Sequence, residues 1–236
     1  MNRSGLRRAA SAWLAVLVVA MGAACGGSSS GGTGIAAQSA DQIVASTIAA
    51  SKSAKSVHIA GHITQNGQDL GLDLQLVNGK GGAGTIEISG MPIDIVRLGS
   101  KAYFKADANF WTTYGSAAAA KMFAGKWLMG PATGGQFASF TQLTDVRAFF
   151  TKAFSKVKSG SYSKGDQTTV DGQPVIAIHD SKGGVLYVAT TGPPYPIKLS
   201  GKTAKSSGEM SFSDWDQPVT LTPPAHAIDM STITGG

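Results

Sequence analysis

Between Ser56 and Lys105, apolar and polar residues alternate in five short runs separated by turns. The clearest run is Gln68 to Leu76: Leu70, Leu72, Leu74 and Leu76 share one side, and Asp69, Asp73 and Gln75 share the other. Successive side chains of a strand point to opposite faces, so this spacing predicts a strand with one apolar and one wet face. A strand over 56–64 is predicted in the same way, with Val57, Ile59 and Ile63 opposite His58 and His62. Further strands are expected over 85–89 (Ile86, Ile88), 93–98 (Ile93, Ile95) and 102–105. Asn66-Gly67 is a two-residue hairpin signal, and Asn78-Gly79, Gly90 and Gly99-Ser100 supply the other turns. Such a sheet has an apolar face that something must cover.

The flanking pattern is helical. Ser39 and Gln42 have the spacing of a capping box, and Ala40, Ile43, Val44, Thr47 and Ile48 follow as an apolar stripe that ends by Ala54. A second helix is expected from an N-cap at Thr144 to Val157, with Val146, Phe149, Phe150, Phe154 and Val157 on one side. Between sheet and helix, aromatic and methionine residues crowd residues 103–129, and Lys126 to Met129 reads as a short strand. Strands return over 162–170, 174–179, 185–189, 197–200 and 209–215, and Pro218, Pro223 and Pro224 mark an irregular tail. Helix, strands, helical insert, strands: the fold class is α+β with a large antiparallel sheet.

The first 24 residues change the picture of where this domain works. Arg3, Arg7 and Arg8 precede an apolar run from Ala9 to Ala24, which is a secretory signal ending in small residues. The run is shorter than the roughly 20 residues a membrane-spanning helix needs. Cys25 follows, the only cysteine in 236 residues, so no internal disulfide can form. A lone cysteine in that place, before Gly26-Gly27-Ser28-Ser29-Ser30, resembles the lipobox of a bacterial lipoprotein, with Gly22 standing where an aliphatic residue is usual. The resemblance implies a diacylglyceryl group on Cys25 and a membrane anchor, with residues 25–38 as a Gly/Ser tether. An uncleaved N-terminal anchor is the alternative. Residues 39–236 read as one domain with no second linker.

Charge excludes one class of partner. Three of the 20 basic residues leave with the signal, so 17 remain against 14 acidic ones, scattered without a basic stripe. No nucleic acid is expected. Gly79 to Gly84 has the letters of a dinucleotide fingerprint, but an alternating strand follows where a helix is required, so it reads as a glycine-rich hairpin. His58 and His62 lie four residues apart on a strand, roughly 13 Å, too far to share one ion. No metal and no cofactor are expected. Asp180 and Ser181 beside His179 give no triad geometry, and no nucleophile-elbow motif is present, so the chain is expected not to be an enzyme. The aromatic segment over 103–129 reads either as core with a covering lid or as the wall of an apolar pocket.

The signal, the capping helix, the meander and the residues Gly90, Gly99, Tyr103, Lys105, Trp111, Phe212, Asp214 and Trp215 together resemble the LprG/LppX family of actinobacterial envelope lipoproteins. That family in turn resembles the LolA and LolB carriers. The resemblance covers most of 39–219 and rests on pattern and order. It implies a strongly curved antiparallel sheet, a half-barrel, whose concave face is covered by helices. It also implies a cavity for the acyl chains of a lipid or glycolipid, at the extracytoplasmic face of the cell membrane, in a monomer that serves an envelope transport protein. The cavity candidates it implies are Ile59, Ile63, Leu70, Leu72, Leu74, Ile86, Ile88, Ile93, Ile95, Phe149, Phe150 and Phe154. Two other readings stay open: an interaction module whose concave face is filled by side chains, and a hydrolase with a site assembled in space.

Overall fold

In the computed structural model, residues 34–133, 142–155, 157, 160–203 and 206–232 are described. The expected signal, Cys25 and the tether up to residue 33 lie outside the described residues. The first helix, α1 (Ala40–Ser53), starts as expected: the Ser39 hydroxyl accepts from Gln42 N and the Gln42 side chain accepts from Ser39 N. Ahead of it, a single 3-10 turn, Ile35–Ala37, buries Ile35 among Ile43, Ile176 and Ile178, so the last residues of the expected tether pack on the domain.

The meander follows as β1 (Ser56–Gln65), β2 (Gln68–Val77), β3 (Gly81–Ile88), β4 (Met91–Leu98) and β5 (Lys101–Ala106), each antiparallel to the next. The aromatic segment forms two short helices, α2 (Ala108–Tyr114) and α3 (Ala117–Phe123), capped by Asp107 and Ser116, and then β6 (Leu128–Pro131). The helix expected over 144–157 is shorter. Thr144 ends a 3-10 turn, Asp145 is the N-cap, α4 spans Val146–Ala153, and Phe154 is its C-cap. Asp145 takes the cap because its carboxylate accepts from Ala148 N at 2.8 Å. The last third gives β7 (Tyr162–Val170), β8 (Gln173–Asp180), β9 (Gly184–Ala189), β10 (Pro196–Lys202) and β11 (Ser206–Ser213). Sequence reading treated the tail as irregular throughout; Ile228–Asp229 in fact forms a two-residue strand, β12, parallel to β6.

All twelve strands join one open sheet in the order β12-β6-β5-β4-β3-β2-β1-β11-β10-β9-β8-β7. The two meanders meet in the middle, where β1 pairs with β11. Two positions in the sheet require glycine. Gly61 and Gly84 have φ of 147° and 148°, and a Cβ there would stand 2.2 and 2.0 Å from carbonyl oxygens of the neighbouring strands. Only glycine takes such a backbone beside so close a strand.

One face of the sheet is apolar over most of its strands. Register aligns Phe212, Ile59, Leu74, Ile95, Phe104 and Leu128 in rows across it. Helices supply its cover: α4 packs over the centre, α1 over β8 and β9, and α2 over β4 and β5. The opposite face is wet and laced across strands. Thr85 donates to Asp94 (3.1 Å), and Lys105 pairs with Asp94 at 2.8 Å. Among the described residues, the core clusters lie in the unit Gly31–Gly236.

Candidate functional site

The apolar face is filled in one half and open in the other. Under α4, Val146, Phe149 and Phe150 press onto Val57, Ile59, Leu72, Leu74, Leu76, Ile86 and Ile95, all buried. Beside this packed region, a cleft of about 750 Å³ lies between α1, α4 and strands β8 to β11. Ligand pockets typically measure about 300–1,000 Å³, and this volume falls within that range. Val44 of α1, Phe150 and Phe154 form one wall, and Ile178, Leu186, Leu199 and Phe212 of the sheet form the other. Phe154 leaves the helix at its C-cap and stacks on Phe150, centroids 6.0 Å apart. Ser155, Ser161, Asp180, Ser181 and Lys182 edge the opening.

A smaller groove of about 280 Å³ continues from the cleft, sharing Asp180, Lys182, Gly184 and Leu199 with it. Register explains the space. Gly184 pairs with Gly201, Gly201 with Gly208, and Gly208 with Ile63, so three neighbouring strands present no side chain in one row. Ser200, Lys202, Thr203, Ser206 and Ser207 border this groove.

The residues expected to line a cavity divide. Phe150 and Phe154 line the cleft, and Ile63 lines the groove. Ile59, Leu74, Ile86, Ile93 and Ile95 are fully buried in packed core and border neither space. Leu72 and Phe149 are buried in the same core, and Leu70 and Ile88 are half-buried against it. The physical reason is the helical cover: Phe149 and Phe150 of α4 pack on most of the first meander's apolar residues, and Phe110 and Trp111 of α2 pack with Ile93. What sequence reasoning missed is the second meander: Ile178, Leu186, Leu199 and Phe212. Their alternation was visible, but the order of strands that places them beside Phe154 was not.

On the polar face, cross-strand register brings Asp73 to 2.8 Å from His58 Nε2 and Asp214 to 3.9 Å from Nδ1, with the Ser213 hydroxyl 3.3 Å from Nδ1. Both ring nitrogens are engaged, so His58 ties β1 to β2 and β11. A hollow of about 720 Å³ also lies on this face, bordered by His62, Asp69, Asp73, Thr85 and Glu87 and by two of the expected cavity residues, Leu70 and Leu72. Asp69, Asp73 and Glu87 put three carboxylates on its border, where the cleft under α4 has Asp180 alone.

Comparison with known proteins bears on the fold. No family model matches the chain. No curated protein matches it either. Solved structures do. LprF from Mycobacterium bovis is similar at a TM-score of 0.52 and 14% identity, over 79% of this chain and 97% of that one. LppX, a lipoprotein of Mycobacterium tuberculosis, is similar at a TM-score of 0.48 and 14% identity, over 78% and 98%. The likeness to LprF is one of fold; among the described residues this chain is α+β, with an open, mostly antiparallel sheet of twelve strands and four helices. That is the fold expected from the sequence.

Proposed function

We propose that this protein is an envelope lipoprotein that holds the acyl chains of a lipid or glycolipid in the cleft under α1 and α4, for transport or presentation. The observation that carries this reading is the cleft itself, about 750 Å³ walled by Val44, Phe150, Phe154, Leu186, Leu199 and Phe212 and edged by polar groups. Its composition is that of a site for hydrocarbon with a head left at the rim. The likeness in fold to LprF and the signal-like start ending at Cys25 support the reading. Among the described residues no helix is long and apolar enough to cross a membrane, so attachment in this proposal falls to Cys25 and its acyl groups. Binding involves no covalent chemistry. Bilayer and cleft are both apolar, so moving a chain between them costs little, as reversible loading requires.

Residues 31–236, a compact unit that holds the core clusters of the described residues, are to be purified without detergent and extracted with organic solvent for mass spectrometry. Stoichiometric lipid is the expected result. Repeated lipid-free preparations that also refuse fluorescent fatty-acid probes would sink the proposal in favour of an interaction module with a filled core.

A further inference from the structure

Resting on the lipid-binding reading, we infer that the groove beside the cleft takes the far end of the same acyl chain, and that Gly201 sets how long a chain the site accepts. The two spaces are joined on the apolar face. Leu199 borders both, and Gly201 and Gly208 share the side of Leu199 and Met210, because every second residue of a strand lies on one face. From Gly201 the row crosses β11 at Gly208 and reaches Ile63 on β1, two strand spacings or about 10 Å. Its floor is backbone already paired within the sheet, flanked by Leu199, Met210 and Ile63. Ser200, Lys202 and Ser207 also border the groove, but they occupy the alternate positions and belong to the opposite face. At the junction, Asp180 is committed to the β8–β9 turn: its Oδ1 accepts from the backbone amides of Lys182 and Gly184, each at 2.7 Å.

The three glycines of the row are not alike. None of them has a positive φ. A Cβ at Gly208 would stand 2.4 Å from His62 O, and one at Gly184 would stand 2.8 Å from Asp180 Oδ2, so close neighbours account for both. At Gly201 the nearest atom would be Gly184 Cα at 3.3 Å, which a shift of a few tenths of an ångström relieves. Glycine weakens the interior of a strand, and neither dihedral angle nor steric contact forces it here. A strand glycine of that kind marks a place where a ligand approaches the backbone. The groove adds about 280 Å³ to the 750 Å³ of the cleft. A short chain is therefore held by the cleft alone, and only a longer one passes Leu199 and reaches Gly201.

The test uses residues 31–236 and saturated monoacylglycerols from monolaurin to monoarachidin, in competition against a fluorescent acyl probe. Each methylene that enters the site should tighten binding by up to about fourfold, until the chain outruns the space. In Gly201→Leu this series should flatten at a shorter chain: the shortest lipid should bind within about twofold of its affinity for the unaltered protein, and the longest roughly tenfold or more weaker. Ser200→Leu adds the same bulk on the opposite face of β10 and should leave the series unchanged. A diazirine at the chain end gives a reading on the unaltered protein. From the longest lipid it should label the peptides that carry Ile63 or Met210, and from the shortest those that carry Phe154 or Leu186. An identical series in Gly201→Leu and the unaltered protein overturns the inference, as does equal loss in both leucine variants. So does label from the longest chain confined to the peptides of Phe154 and Leu186. A diazirine on the glycerol that labels the groove also overturns it, in favour of a head-group site. Each of these results leaves the lipid-binding reading intact; failure of every lipid to compete removes that reading as well.

Discussion

Three residues after β11 fix the corner on which the centre of the sheet depends. Tyr195 and Trp215 stack face to face, centroids 4.2 Å apart and 5° from parallel. The Trp215 indole donates to Pro196 O at 3.1 Å, and the Tyr195 hydroxyl donates to Asp216 Oδ2 at 2.6 Å. Asp216 Oδ1 accepts from Lys55 N, which ties the corner to the start of β1. Asp214 and Asp216 both have positive φ, a conformation that aspartate tolerates better than most side chains. Trp215 also stacks on Phe150, so the corner supports the cleft wall. Burial, then the hydrogen bond to Asp216 and its charge, hold the Tyr195 phenol above its usual range near 10. A raised pKa means that the folded state favours the neutral phenol. Its contribution is therefore complete below the unfolded value and is lost as pH climbs beyond about 10 toward the folded one. Tyr195→Phe should melt lower than the unaltered protein at neutral pH, and the gap should shrink by about pH 11. Thermal denaturation across that range reads it; a gap that stays constant would count against this coupling.

Among the elements, α4 does most to decide what the apolar face becomes. It is eight residues long, and helices that short are marginal without caps and packing. Asp145 provides the cap at Ala148 N and also meets Arg97 of β4 at 3.4 Å, so one side chain both starts the helix and pins it to the sheet. Asp145→Ala should cost about 1–2 kcal/mol, near the upper range for a lost cap, and Asp145→Asn should cost less because the amide can still accept. Urea unfolding measures both, and equal costs would show that the ion pair rather than the cap is what matters. The helix was legible in the sequence from Val146, Phe149 and Phe150, as were α1 and every strand of the first meander, because strict periodicity in a run of that length admits few other structures. Its N-cap was not, since Thr144 and Asp145 are both capping types and geometry chose between them. Nor was β12: Ile228 and Asp229 gain strand character only because β6 lies alongside.

At the scale of the molecule, the two meanders share one architecture but differ in use, and this is where sequence reading stopped short. The first meander has the stronger alternation, and that strength reflects a filled core: Ile59, Leu74, Ile86 and Ile93 are fully buried. The second has weaker alternation and glycines in register, and it keeps the space. Pattern strength marked packing, and the site lay where the pattern was interrupted. The placement of Phe150 and Phe154 was accessible from helical spacing, but their partnership with Leu199 and Phe212 required knowing that β11 lies between β1 and β10. Leu199 gives the sharpest test of this division. It faces the cleft from β10 yet is 38% exposed, so it adds little to the core while occupying the passage between cleft and groove. Leu199→Trp should close that passage. Lipid recovered with the purified protein should fall from stoichiometric to trace, while the melting temperature moves by no more than a few degrees, as for substitutions outside packed core. Ser211→Trp, on the polar face of the neighbouring strand β11, adds the same bulk away from the cleft and should leave the lipid content unchanged. If Leu199→Trp retains its full lipid load, the cleft under α1 and α4 is not where the acyl chain lies. If both variants lose lipid together, bulk on the sheet rather than blockage of the passage is the cause.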